Sequence, residues 1–406
     1  MKTALIIPFH NRPEYLRKCL NSLPPFKCTV ILINDCSTDL NSIEIANSFT
    51  LKGANVELHN FPKNAGIKGS LKYGFDYAFK SHDVVINLDA DCIVAPNFWD
   101  ILKHADSKIP VSGINSTNYD RGKLRNPIIK ETKTTVIKRH ANGQCLLLNK
   151  STYKKYIEPA LSKSGNWDFN VSQLCDQVLC VKPSLVQHIG VVSSMGHGIF
   201  GEPDVALDFP KIQLPDVTLF GIDAHDPKGI IRAAEISQRH IEFGDVKIIT
   251  ERLFKGREGY SEFCIKEMWK YVKTSHVLVI HSDGYIQNPW AWKDEWLSFD
   301  YVGAVWDWYN EHQNGNGGFT LRSSKLLNII KEWEVTKEII EDDYLCRTMR
   351  PVLESKGIKF APVEVCKKFS IEGYGIKPQY NIYNGEFGFH SYNPQRLPYP
   401  PLPKKR

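Results

Sequence analysis

The sequence predicts an α/β protein with mainly parallel sheets, and it predicts that design twice along one chain. Three observations carry the expectation. Short apolar runs alternate with helix-like stretches in both halves, several of the runs end in acidic residues, and a proline-rich stretch near residues 199–215 separates the two series. Alternation of strand and helix favours βαβ units, whose ligands bind beyond the carboxyl ends of the strands.

In the first half, residues 4–8 read as a strand, 13–23 as a helix, 29–34 as a strand, 40–49 as a helix and 84–88 as a buried strand. The second half restarts with a strand over 217–221, a helix over 228–240 and strands over 246–250 and 277–280. Gly201, Pro203, Pro210 and Pro215 interrupt both periodicities, which predicts a boundary there. The expected division is 1–205, a linker over 206–215, a second domain over 216–392 and a proline-rich basic tail over 393–406. A looser duplication fits, since both halves run strand, helix, strand and then a strand ending in an Asp-containing turn.

Length and composition suit this plan. At 406 residues the chain is long for one core, and 42% hydrophobic with 24% charged residues excludes general disorder. The net charge of +6 permits an acidic partner without demanding one. No run approaches the roughly 20 apolar residues of a membrane helix. The opening Met1 to Ile7 begins like a signal peptide, but Pro8, His10, Asn11 and Arg12 cut it short, so it reads as the first strand. Ten scattered cysteines without a CxxC pair predict reduced thiols and a cytoplasmic setting.

Chemistry is expected at the strand ends. The run over 84–88 leads into Asp89-Ala90-Asp91, two carboxylates that can share a ligand if the strand breaks into a turn. A divalent ion needs such oxygens, and it would neutralise charge gathering on a departing nucleotide. The strand over 29–34 ends in Asp35, whose carboxylate suits a pyrimidine imide N–H while the backbone over 8–11 frames the base. Gln187-His188-Ile189-Gly190 offers a neutral imidazole to an ion already held by carboxylates, with His197 as a weaker competitor.

Taken in order, Pro8-Phe9-His10-Asn11-Arg12, Asp35 to Asp39, Asn64-Ala65-Gly66 and Asp89-Ala90-Asp91 resemble the family 2 glycosyltransferases and related GT-A enzymes over residues 1–200. The resemblance implies a Rossmann-related GT-A fold and a nucleotide-sugar donor, a UDP-sugar being favoured. It places Pro8, His10, Asn11, Arg12, Asn64 and Gly66 with Asp35 around the donor, Asp89 at ribose or metal, and Asp91 on manganese or magnesium. It also places Asp168 as general base, in a segment where Trp167 replaces the usual acid, and His188 as the late metal ligand.

In the second half, His281-Ser282-Asp283-Gly284, Asn314 to Phe319 with Leu321-Arg322, Glu341-Asp342-Asp343 and Phe387 to His390 resemble a family of poorly characterised glycosyltransferases. That resemblance implies Asp283 and His390 at a metal, with Glu341 or Asp342 as base. Gly317 and Gly318 would let backbone approach a sugar closely. His281 takes the place of the first acid, which argues against metal dependence there.

The resulting expectation is a tandem, bifunctional hexosyl or related glycosyltransferase with two GT-A-like domains. Each would act by inverting displacement, since each offers a candidate base and no nucleophile. Acceptors would be a glycan or another hydroxyl compound. One alternative is transfer to hydroxymethylated bases of DNA, marked by salt-sensitive DNA binding. Another is one active N-terminal transferase with a non-catalytic carbohydrate-binding C-terminal domain.

Overall fold

The computed structural model describes residues 1–115, 119–120, 123–124, 128–140, 143–190, 209–335, 339–373 and 383–391. His197, the residues over 199–208 and the tail over 393–406 lie outside the described residues. Two compact units emerge, one holding 1–190 with Phe209 and Pro210, the other starting at Lys211.

In the first unit, β1 (Thr3–Phe9), α1 (Pro13–Ser22), β2 (Thr29–Asn34), α2 (Leu40–Ser48), β3 (Asn55–Asn60), α3 (Gly66–Ala78) and β4 (Val84–Leu88) follow one another. The chain continues through β5 (Cys92–Val94), β6 (Val111–Ser112), β7 (Ile128–Glu131), β8 (Thr135–Lys138), β9 (Cys145–Asn149), α4 (Trp167–Leu174), β10 (Val178–Val181) and β11 (Val186–His188). The main sheet has the order β3-β2-β1-β4-β9-β6-β10-β8-β7. Only β9 and β8 run against the rest.

Alternate residues of β1 enter different cores, as strand geometry requires. Leu5, Ile7 and Phe9 pack with Leu16, Cys19 and Leu20 of α1. Ala4 and Ile6 pack with Leu71 and Phe75 of α3. Helices on both faces explain why these strands read as nearly continuous apolar runs.

The second unit is built from β12 (Ile212–Ile222), α5 (Pro227–Ser237), β13 (Ile241–Ile249), α6 (Gly256–Lys266), β14 (His276–Ile280), β15 (Tyr301–Val302) and β16 (Thr320–Ser323). Its sheet has the order β13-β12-β14-β16-β15, in which β16 is the reversed strand. The first unit repeats this arrangement in β2-β1-β4-β9-β6. In both, the strand that ends in the polar motif is flanked by the first strand and by a reversed one. A small parallel pair, β17 (Ser370–Glu372) and β18 (Gly388–His390), completes the part used below.

One local expectation fails. β12 begins at Ile212 and runs through Pro215, where irregular chain was expected. Proline cannot donate to a central ladder, and the pairing with β13 shifts register between Leu214 and Thr218 to accommodate it. Gly244 lies opposite, where a side chain would collide with the Pro215 carbonyl.

All ten cysteines are free thiols. Among the described residues, no helix is long and apolar enough to cross a membrane. Phe75 is fully buried between α3 and the sheet. Phe75→Ala is expected to cost the first unit about 3–5 kcal/mol by lost burial and an unfilled cavity. Urea unfolding checks this, and an unchanged midpoint contradicts it.

Candidate active site

At the carboxyl end of the first sheet, β1 and β2 stop side by side and their loops are stitched together. Asn11 and Arg12 adopt left-handed backbone, as does Cys36. The Asn11 side-chain oxygen accepts from the N–H groups of Thr38 and Asp39, and its own N–H donates to Ser37 Oγ. Asp35 is 5% exposed, and its Oδ1 accepts the Ala65 N–H at 2.6 Å, fixing the approach to α3. His10 Nδ1 meets the Asp35 carbonyl at 2.8 Å, and Asn64 Nδ2 donates to it at 3.4 Å. Gly66 has a φ of +70° with open space where a side chain would point.

This arrangement revises part of the donor set. Pro8 is buried within β1 opposite Ile33, and the Asn11 oxygen is spent on the neighbouring loop. Both shape the wall, and the Asn11 Nδ2 stays at its surface beside His10 Nε2 at 3.2 Å. His10, Asp35, Asn64 and Gly66 remain together at its surface.

Asp89 and Asp91 sit just past β4. Burial pushes the Asp89 carboxyl well above the usual carboxylate range, and the negative Asp91 raises it further. Asp89 Oδ1 is buried without a hydrogen-bond partner. Burial acts upward on Asp91 too, but His188 and Arg12 more than offset it and hold that carboxyl low. Arg12 Nη1 donates to Asp91 Oδ2 at 2.9 Å, and His188 Nε2 lies 3.3 Å from the same oxygen. His188 reaches it because β11 pairs with β5, setting His188 opposite Cys92. At Gly190 an added Cβ would collide with Asp91 Oδ2 and come 2.9 Å from His188 Nε2. Asp91 and His188 meet beside this side-chain-free cradle with the orphaned Asp89 oxygen on the same turn, donors of the kind a divalent cation takes, but the described side chains do not bring one ligand atom from each of the three within 4.8 Å of one another.

The second unit places a related set past β14. An antiparallel bridge pairs Ile286 with Gly388, which brings His390 opposite Gly284, the residue after Asp283. His188 faces the residue after Asp91 in the same way. His390 Nε2 lies 3.8 Å from Asp283 Oδ1, and its Nδ1 lies 3.2 Å from Glu372 Oε2, its partner across β17 and β18. A cleft of about 440 Å³ opens beside them, lined by Asp223, Arg252, Arg257, Tyr260, His281 and Asp283. It lies at the ends of β12, β13 and β14.

Two glycines locate the candidate bases. The β4–β9 register places Gly143 opposite Ala90, and the β14–β16 register places Gly317 opposite Ser282. A Cβ at Gly143 would meet Trp167 at 2.7 Å and Asp168 at 3.3 Å. One at Gly317 would meet Glu341 at 2.9 Å and Asp342 at 3.4 Å. Trp167 and Asp168 begin α4, just as Glu341 and Asp342 begin a short helix. Trp167 thus matches Glu341, and Asp168 matches Asp342.

That match corrects two readings. Glu341 is 3% exposed and ion-paired with the fully buried Arg322, so it is a structural anion and not the base. Asp342 is the better candidate, with its carboxyl pushed up to about 6 by burial and by the neighbouring Glu341. Gly317 and Gly318 are buried, and their missing side chains make room for Glu341 and for His390 and not for a sugar. Gly317 N–H donates to Asp342 Oδ2 at 2.8 Å.

Asp223, Arg252, Arg257, Tyr260 and Glu372 were not singled out from the sequence. Asp223 carried a signal, since it directly follows an apolar strand. The others come from a loop, a helix and a three-residue strand with no motif of their own. Trp290, Trp296 and Trp306 are core, whereas Trp308 is exposed.

If Glu341 is structural, Glu341→Ala leaves Arg322 buried without its counterion and costs the second unit about 3–5 kcal/mol. The double variant Arg322→Met/Glu341→Leu should recover most of that loss. Chemical unfolding checks both, and a fully stable Glu341→Ala protein contradicts the assignment.

Residues 4–153 match the profile described as "Glycosyl transferase family 2", and residues 244–390 match "Protein of unknown function (DUF5672)". No curated protein sequence matches the chain. Similar solved structures include GalNAc-T7 with UDP, GalNAc and Mn2+, at 20% identity and TM-score 0.37, covering 46% of this chain and 44% of that one. S. aureus TarS 1-349 is similar at 16% identity and TM-score 0.34, covering 46% of this chain and 60% of that one. The same protein with UDP-GlcNAc gives 15% identity and TM-score 0.33, covering 46% and 58%. The chain thus spans about half the length of these proteins. The N-terminal part of the chain resembles the family 2 glycosyltransferases, and the C-terminal part resembles a family of unknown function.

Proposed function

We propose that the chain is a tandem glycosyltransferase in which the unit holding residues 1–190 and the unit starting at Lys211 each move a sugar from their own nucleotide-sugar donor to a hydroxyl acceptor. The observation that carries this reading is the shared placement of parts. In each unit a late histidine faces the residue after the motif's last carboxylate, and an aspartate at a helix start lies beside the glycine opposite the motif's middle residue. Ten free cysteines suit a cytosolic setting.

In the first unit, Asp35 Oδ2 faces the base of a UDP-sugar, with His10 and Asn64 at its rim. Asp89, Asp91 and His188 would hold manganese or magnesium, which supplies positive charge to the departing diphosphate. Asp168 takes the proton of the acceptor hydroxyl as that oxygen bonds to the anomeric carbon. The bond to the diphosphate breaks on the opposite face, so configuration inverts. Asp342 plays the same part in the second unit, and the acceptor is a glycan or another hydroxyl compound.

Asp91→Ala and Asp283→Ala proteins, supplied with mixed nucleotide sugars, should each lose a different sugar addition by product mass. An Asp283→Ala protein that makes every product at the normal rate would reduce the second unit to a binding domain. Asp168→Asn should keep donor affinity while first-unit transfer falls by roughly a hundred- to ten-thousandfold. Collapse of donor affinity instead would make Asp168 a binding residue.

The second transfer should also depend on pH. A base must be ionised, and Asp342 is raised to about 6, so the rate falls as pH drops through that value. A profile for the Asp91→Ala protein that stays flat across this range contradicts the role of Asp342.

A further inference from the structure

His281 stands where the first unit has Asp89, and an imidazole in place of an acid argued from the sequence against an ion. The side-chain geometry reverses that argument. His281 Nε2 is held by the Tyr260 hydroxyl at 2.8 Å, and His390 Nδ1 by the Glu372 carboxylate at 3.2 Å. The far nitrogen of each ring is anchored, and the near ones are left to face Asp283. One ligand atom from each of His281, Asp283 and His390 lies within 4.8 Å of the other two. Metal-holding histidines are fixed in just this way, because the anchored nitrogen sets both the ring plane and the tautomer.

The backbone is shaped to this cluster. A Cβ at Gly318 would overlap the His390 ring and come 2.9 Å from His281 Nδ1. Only glycine lets the two imidazoles converge there. Asp283 is 53% exposed and lines the cleft, so its carboxylate is free to turn toward a bound ion.

We propose that the second unit binds a transition-metal ion of the manganese, cobalt or zinc class through His281, Asp283 and His390, and that it rejects magnesium and calcium. Two imidazoles and one carboxylate suit such ions, whereas magnesium and calcium demand mostly oxygen. The first unit, with two carboxylates and one imidazole, has the harder ligand set. The two units of one chain therefore differ in ion preference. Arg252 and Arg257 line the same cleft, and guanidinium groups suit phosphate oxygens, so the ion would share the cleft with a diphosphate. This last point rests on the tandem-transferase reading, and the ion assignment does not.

The test is Co2+ titration of the full chain carrying Asp91→Asn and His188→Ala, which remove two of the first unit's three ligands, followed by visible absorption without nucleotide. One Co2+ per chain with ligand-field bands is expected, retained against a large excess of Mg2+. Asp283→Asn and His390→Ala should abolish the bands, and Glu372→Gln should weaken affinity by roughly 10–100-fold. Circular dichroism establishes that each variant is folded, and the exposed Asp283 is the position least able to disturb the fold. Absence of Co2+ binding, displacement by equimolar Mg2+, or bands unchanged in folded Asp283→Asn and His390→Ala proteins would overturn the proposal. Donor turnover is followed separately. Co2+ bound without turnover keeps the ion assignment and removes the second transfer, whereas turnover with no Co2+ bound overturns the ion assignment.

Discussion

Two carboxylates set one residue apart at the buried end of β4 impose the constraint around which the first unit is organised. Burial and mutual repulsion both act against ionising Asp89 and Asp91 together. The loops answer with positive charge. Arg12 reaches Asp91 from a left-handed position at the start of α1, and His188 is delivered by the pairing of β11 with β5. Gly190 gives up its side chain so that this contact can form. A strand end that gathers this much charge of both signs has the character of a functional site.

The second unit meets the same constraint with a different charge balance. His281 replaces one carboxylate, so less negative charge is buried at the strand end, and Glu372 supplies an acid behind His390 instead. A similar exchange occurs beside the candidate base. Trp167 fills with an aromatic ring the position that Glu341, ion-paired with Arg322, fills with charge. Apolar groups and buried ion pairs can serve as alternatives of similar stability, although a lone survivor of a broken pair is costly. The matching strand orders keep the corresponding groups in place despite these exchanges.

Much of this was legible in the sequence because parallel strands covered on both faces are written as apolar runs, and their ends mark where ligands bind. The boundaries of β2 and β4 and the positions of Asp35, Asp89, Asp91 and Asp283 follow from that rule alone. Burial of individual polar groups was not legible. Glu341 and Asp342 are adjacent acids in the sequence, and only the contact with Arg322 separates a structural anion from a candidate base. Pro215 read as a break because the register shift that accommodates it depends on β13, which pairs from across the sheet. Tyr260 and Glu372 carried no signal, since each acts on a histidine distant in sequence through pairing or packing. Asn11 was placed at the donor by the family resemblance, and the sequence did not show that its side-chain oxygen is held by the next loop.

The central claim is that one chain carries two donor sites built to the same plan. Calorimetric titration of the full chain with UDP in the presence of Mn2+ tests it most directly. The account predicts two sites per chain, one lost in Asp91→Asn and the other in Asp283→Asn. A single site per chain that is indifferent to Asp283→Asn would contradict it.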